Sequence, residues 1–329
     1  MDQKCAICNC GTNSEHNKLT EWLQKQFWQR IPPKLVSWII FNPITVKFSP
    51  SNRYIVSFLK PYIESIENSE FEIIDELVEF YVSLVTIVEL ESISGGYCYQ
   101  TYVVDTYNNF RATIKCQTSA ISNGMIHPQF EPLDSDPGMH GVIANKSVLE
   151  LGSGTGLLGI ICSLIGATEV LLTDTHRDVL ALLNHNAKIN SANAKNVSVR
   201  MLDWSQHSLV DDLRGKYDVI LGSDLVYDPD TNFDLVKLLE SLINNKSQMA
   251  YIASTVRNED TFDGFIKFLE SSPVLESSTM DISDISQILL REDQNSIIKL
   301  SIIALKQPSL KQQTPEESFK EITQPLRTA

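Results

Sequence analysis

Apolar residues return every three or four positions through the first part of the chain: Leu19, Trp22, Leu23 and Phe27, then Tyr54, Ile55, Phe58 and Leu59, then Ile74, Leu77, Val78 and Tyr81. That spacing gathers them on one helix face, so residues 19–90 read as helices. Pro32, Pro33, Pro43, Pro50 and Pro61 are expected to punctuate them, because proline lacks the amide hydrogen that a helix interior uses. After Gly95-Gly96 come two β-rich runs, Tyr97–Val104 and Phe110–Gln117, separated by Asp105-Thr-Tyr-Asn-Asn109, the pattern of a hairpin. Residues 118–146 collect Ser, Pro, Gly, Asn and Asp without periodicity and read as a long loop.

From residue 147 short apolar runs alternate with helical stretches. Ser147–Leu151, Glu169–Thr173, Val197–Leu202, Tyr217–Gly222 and Met249–Ser254 read as strands, with a helical stretch after each until about residue 270. Alternation of this kind implies a parallel sheet covered on both faces. Val274–Ile282 and Ser296–Lys306 have no long helix between them and should form an antiparallel pair at the sheet edge. The fold class is α/β. The expected organisation is a helical and hairpin module over 1–120 suited to substrate recognition, an irregular linker over 121–146, a sheet domain over 147–306, and a disordered polar tail over 307–329.

Composition narrows the function classes. A hydrophobic fraction of 43% and a charged fraction of 21% over 329 residues are ordinary for a folded globular chain. Lys plus Arg number 27 against 41 Asp plus Glu, a formal charge of -14 that disfavours nucleic acid and would attract a basic partner surface. The six Cys are too few and too unevenly spread for a secreted disulfide framework. No apolar run is long enough to span a membrane, and the first fifteen residues lack the apolar core of a signal peptide. A cytoplasmic monomer is the expectation.

The sharpest chemical signal is Val148-Leu-Glu-Leu-Gly-Ser-Gly-Thr-Gly156, an apolar strand running through three alternate glycines, Gly152, Gly154 and Gly156, into the helical run Leu157–Ile165. Glycines let a ligand approach the backbone. Leu157 stands where the dinucleotide fingerprint needs a glycine. Glu150, ahead of the turn, would repel a pyrophosphate but suit a zwitterion carrying a sulfonium, a description that fits S-adenosylmethionine. Asp174 closes the second strand where a ribose acceptor sits in open α/β sheets. Asp203 and Trp204 follow the third strand, offering an acceptor for an exocyclic amine beside an aromatic face. Each acid alone could simply cap a helix; three together behind a glycine turn point to a nucleoside ligand. The fourth strand ends in Ser223, Asp224 and, three residues on, Tyr227, a carboxylate and a phenol that can converge on one amine.

Glu150 to Gly156, Leu202-Asp-Trp204, Ser223-Asp-Leu-Val-Tyr227 and Ala253-Ser-Thr-Val-Arg-Asn258 together resemble the seven-strand, S-adenosylmethionine-dependent protein-lysine methyltransferases with an Asp-x-x-Tyr signature. Within that group the chain is most similar to the elongation factor 2 lysine methyltransferases, on Thr255-Val-Arg-Asn258 and the aromatic N-terminal helices around Phe27-Trp28. The resemblance covers about residues 20–305. It implies a Rossmann-like seven-strand sheet, mostly parallel with its last strand antiparallel. It also implies that Asp224 and Tyr227 line a lysine channel, that Gly152, Gly154, Asp174 and Asp203 hold the cofactor, and that Thr255 and Arg257 lie near the same mouth. The substrate it implies is a protein, elongation factor 2. One departure is plain: the group carries a Thr-Trp-Glu-Ala-like lid helix before the glycine strand, whereas Ser119–Asn145 has no Trp and is interrupted by Pro128, Pro132 and Pro137. A catalytically silent interaction protein that keeps the fold is the alternative.

Lesser features have plainer readings. Cys5, Cys8 and Cys10 have soft-ligand spacing but no second pair to complete a metal site, so no metal is expected. His176 and His185 read as solvent-facing or capping residues, and Trp22, Trp28 and Trp38 as core.

Overall fold

The computed structural model describes residues 28, 30–67, 69–94, 96–105, 110–117, 141–282 and 297–306. Four helices come first: α1 (Pro33–Phe41), α2 (Pro43–Lys47), α3 (Asn52–Ile66) and α4 (Asp75–Ser94). Pro33 and Pro43 occupy first turns, where a missing amide costs nothing, while Asn42 and Ser51 cap α2 and α3 through Ile44 N and Tyr54 N. Pro61 does not end its helix, contrary to the sequence expectation; it lies inside α3. An interior proline costs about 3 kcal/mol, but the face of α3 buries Ile55, Leu59, Tyr62 and Ile66, at about 1.5 to 3 kcal/mol for each large apolar side chain. Burial wins. Trp28 joins this cluster edge-on to Phe58, with ring centroids 5.0 Å apart, whereas Trp38 is 65% exposed and is not the core residue expected.

The hairpin β1 (Tyr97–Asp105) and β2 (Phe110–Gln117) is antiparallel and pairs Cys98 with Cys116. Next come β3 (Ser147–Leu151), α5 (Leu157–Leu164), β4 (Glu169–Asp174), α6 (Arg177–Asn190), β5 (Val197–Met201), a short 3-10 helix (Trp204–Leu209), β6 (Val219–Ser223), α7 (Pro229–Leu242), β7 (Met249–Thr255), α8 (Glu259–Ser271), β8 (Leu275–Asp281) and β9 (Ile298–Leu305). The seven strands stand in the order β5-β4-β3-β6-β7-β9-β8. All are parallel neighbours except β9, which runs antiparallel to both β7 and β8. The final pair lies at the edge as expected, with the last strand threaded inside it. Polarity explains the choice: β9 is largely apolar and takes the covered place, while β8 buries only Leu275 and serves as the rim.

Strand alternation divides the core between the two faces of the sheet. Leu149 and Leu151 of β3 pack with α7 and α8, while Val148 points the other way, among residues of α5 and α6. Ala112 and Ile114 of the hairpin are buried in the α5 and α6 cluster. Asn190 accepts from Thr113 N and donates to Thr113 O, at 2.9 and 2.7 Å, and Asn186 does the same at Lys115, at 2.9 and 3.1 Å. These bonds fasten β2 to α6, so the hairpin is packed on the sheet's helices as well as following the bundle in sequence. On its other side Tyr99 N donates to Ser49 O at 2.9 Å, and the Tyr99 ring meets Phe48. The loop expected to run to 146 is already helical at 141–143, where Ile143 is buried against α5. The Cys5, Cys8 and Cys10 group, Trp22, Phe27, residues 121–140 of the expected linker and the tail from 307 lie outside the described residues.

Candidate active site

The sheet reverses its strand order between β3 and β6: β4 and β5 build outward from β3 on one side, β6 and β7 on the other. Open α/β sheets bind ligands in the crevice at the carboxyl ends of the strands at such a switch point. Here β3 ends in the glycine turn and β6 in Ser223-Asp224, with Leu151 in register with Gly222.

Gly152, Gly154 and Gly156 have φ of 57°, 53° and 79°, the left-handed region that only glycine enters cheaply. Ser153 ties the turn to β4: its N–H donates to Thr173 O at 2.8 Å, and its hydroxyl accepts from Thr173 N at 3.0 Å. A Cβ at Gly152 would come within 2.6 Å of Leu225 and 3.4 Å of Trp204, and one at Gly156 within 2.7 Å of Leu183. At Gly154 a Cβ would meet nothing within 4 Å. The turn is therefore packed at its two ends and open at its middle, where a ligand can reach the backbone.

Glu150 does not stand on that open face. It lies behind the turn, 3% exposed, with Oε2 accepting from Gly159 N of α5 at 3.0 Å. Burial pushes its pKa up to about 8, against the lowering effect of its bonds with Gly159 and Ser153 and with a small upward push from Asp174. The acid expected to present a charge to the ligand braces the turn instead. Asp174, at the end of β4, accepts from Gly154 N at 3.2 Å through one oxygen and from Thr175 N and His176 N at 2.8 and 3.1 Å through the other. It both holds the open glycine and starts α6. Asp203 caps the 3-10 helix, accepting from Ser205 N, Ser205 Oγ and Gln206 Nε2 at 3.0, 2.8 and 3.1 Å, and the Ser205 bonds hold its carboxyl below the usual range. For Asp203 the capping role is the one seen. Trp204 is half-buried against the core and covers Gly152.

On the neighbouring strand Ser223 pairs with Ala253 of β7. Asp224 follows with φ 56°, a conformation unusual for a residue with a side chain, and its N–H donates to Ala253 O at 2.8 Å. Its Oδ1 accepts from Thr255 N at 3.2 Å, and its Oδ2 forms an ion pair with Arg257 Nη1 at 2.7 Å. Leu225 and Val226 plug into the core, which leaves Tyr227 outside at 66% exposure; Asp228 then caps α7 through Asp230 N. Asp224 and Tyr227 thus bracket a buried Leu-Val pair beside the glycine turn.

The family resemblance implies Arg257 near the mouth, but its pairing with Asp224 is not legible in the sequence. Sequence reasoning missed Asn186 altogether, whose Nδ2 also donates to Thr155 O of the glycine turn at 2.8 Å. The only signal was a pair of asparagines four apart, Asn186 and Asn190, on a helix face that also carries Leu183. His176 is exposed at the start of α6, and His185 Nε2 lies 3.0 Å from the Tyr99 hydroxyl, with burial and then Lys115 and Lys188 lowering its pKa.

Residues 131–272 match the family model described as lysine methyltransferase. An uncharacterized protein of Dictyostelium discoideum is 30% identical over 275 residues, covering 70% of this chain and 76% of that one. The Homo sapiens protein-lysine N-methyltransferase EEF2KMT is 28% identical over 244 residues, 67% of this chain and 71% of that one. The Chaetomium thermophilum protein-lysine N-methyltransferase EFM3 is 33% identical over 135 residues, 38% and 40% of the two chains. With a glycine turn at the switch point of a seven-strand sheet, and with the matched segment spanning both the turn and the Asp224 to Tyr227 loop, the chain belongs to the S-adenosylmethionine-dependent lysine methyltransferase family.

Proposed function

We propose that the chain methylates a lysine side chain of elongation factor 2. The substrate class is supported by the family and by relatives named protein-lysine N-methyltransferases, and the particular substrate by the resemblance of Thr255-Val-Arg-Asn258 and the N-terminal helices. The observation that carries the reading is the open middle of the glycine turn lying one strand away from an exposed phenol and a carboxylate held by Thr255 N and Arg257. The residues present fit S-adenosylmethionine, which supplies an electrophilic methyl group when bound. Gly152, Gly154, Gly156 and Asp174 would hold it, with Asp203 and Trp204 at the rim, Ser223 beside it and Glu150 supporting the turn. Asp224 and Tyr227 would receive the lysine, aligning its lone pair for displacement at carbon, a reaction in which positioning supplies much of the acceleration. The described helices include none long and apolar enough to cross a membrane.

The test is calorimetry with S-adenosylmethionine, followed by incubation of the full chain with methyl-labelled cofactor and purified elongation factor 2. Label recovered on a single lysine supports the reading. Cofactor binding without transfer to elongation factor 2 or to any protein of a lysate would mark a silent interaction protein, and transfer to another protein would replace the substrate.

A further inference from the structure

We propose that Arg257 is a positioning residue that makes the site select the neutral form of the substrate amine; this rests on the reading above. The Asp224 carboxylate would be the natural receptor for an incoming ammonium, but its charge is already paired. Oδ2 is 2.7 Å from Arg257 Nη1 and Oδ1 is held by Thr255 N, so both oxygens are engaged at the strand ends. The left-handed backbone at Asp224 and its N–H bond to Ala253 O fix the point from which the side chain leaves the chain. Arg257 is itself fixed by a tight turn, its N–H donating to Thr255 O at 3.0 Å, and by Val256 N bonding Ile297 O at 2.8 Å.

A lysine entering beside Tyr227 therefore meets an ion pair, in which Arg257 offsets the attraction that Asp224 alone would exert on a second cation. A nearby like charge disfavours the protonated amine, and partial removal from water disfavours it further. Free lysine has a pKa near 10.4, so at pH 7 only about one side chain in 2,500 carries the lone pair needed for attack. Lowering that pKa by one unit supplies about ten times more reactive amine. The proton leaves to solvent before the carbon–nitrogen bond forms, and the carboxylate remains as hydrogen-bond acceptor for the amine's N–H. The other charged groups of the adjoining elements are engaged or stand further along: Asp228 caps α7, Glu259 and Asp260 open α8 behind the Asn258 cap, and Lys299 of β9 lies over the Phe262 ring at 4.9 Å. Arg257 is the cation that pairs with Asp224.

The experiment compares wild type, Arg257→Gln and Arg257→Lys in kcat, at saturating cofactor and protein substrate so that ionisation in the bound complex is read, from about pH 6.5 to 10.5, with cofactor affinity measured by calorimetry at each end. The expected result is an acid limb moved up by about one pH unit in Arg257→Gln. It should show about a tenfold loss at pH 7, recovery toward the wild-type rate near about pH 10.5 and unchanged cofactor affinity, while Arg257→Lys keeps most of the wild-type profile and so controls for folding. An equal loss at every pH in both variants would make Arg257 merely structural, and a faster reaction of Arg257→Gln at pH 7 would show that the guanidinium competes with an ammonium; either overturns the proposal. A wild-type chain that transfers no methyl group would instead overturn the underlying reading.

Discussion

A side-chain carbon added at Gly154 would enter open space, whereas one added at Gly159 would come within 2.2 Å of Leu172 and 2.7 Å of the Glu150 carboxyl. The two glycines serve different ends, one leaving room for a ligand and the other for the core. Gly154→Arg should abolish cofactor binding in calorimetry while costing about 1 to 2 kcal/mol of stability for the left-handed backbone. Gly159→Ala should behave as an overpacked core, losing about 1 to 3 kcal/mol or more, with cofactor affinity falling only as the fold does. Equal effects of the two on binding would remove the glycine turn from the site. Glu150 gives a second test at the same scale. With its pKa raised from 4.5 to about 8, the folded chain holds a proton there that the unfolded chain has released, so stability falls as pH rises between those values. The slope approaches about 1.4 kcal/mol per pH unit in that window. Glu150→Gln keeps the acceptor for Gly159 N and carries no proton to lose, so its denaturation midpoint should flatten from pH 5.5 to 8 relative to wild type.

Among elements, the strands were readable because each is a short apolar run bounded by helical periodicity, and the switch point follows from their order. Attachment was harder to read. Nothing in the period-two pattern of β2 says that Thr113 and Lys115 will find asparagine side chains on a helix more than seventy residues later, since the signal is two polar residues in a different element. The Asp224 loop hid its partner for the same reason: Arg257 sits after the next strand, and pairing depends on strand order, not spacing. Pro61 was misread because a local rule lost to the packing of a whole helix face. The asparagine clamp makes its own prediction. Asn186→Ala removes three partly buried hydrogen bonds to the Thr155 and Lys115 backbone, and at about 0.5 to 1.5 kcal/mol for each it should lower stability by about 2 to 4 kcal/mol. It should also raise hydrogen exchange at the Lys115 amide. Exchange at Lys115 matching wild type would mean that Asn190 at Thr113 and the buried Ala112 and Ile114 hold the hairpin without Asn186.

Over the whole molecule the charge of -14 is not evenly spread. Residues 28–63 carry Arg30, Lys34, Lys47, Arg53 and Lys60 with no acid, while 64–105 carry Glu64, Glu67, Glu70, Glu72, Asp75, Glu76, Glu79, Glu89, Glu91 and Asp105 with no base. A partner with a basic surface is thus drawn toward the turn between α3 and α4, where Glu67, Glu70 and Glu72 are exposed, and not toward α1, whose outer face shows Leu35, Trp38 and Ile39 among cations. Exposed charges contribute little to folding, so reversing them tests association with the fold intact. Glu67→Lys, Glu70→Lys and Glu72→Lys combined should lower kcat/KM for the protein substrate by about tenfold at low ionic strength. At 0.5 M salt, where the Debye length has shrunk well below its value of about 10 Å at 0.1 M, the difference should nearly vanish. Lys34→Glu with Lys47→Glu should not produce that loss, and cofactor affinity should hardly change in either variant. A salt slope of kcat/KM that is the same for wild type and the triple variant would mean that substrate association is not steered by this segment.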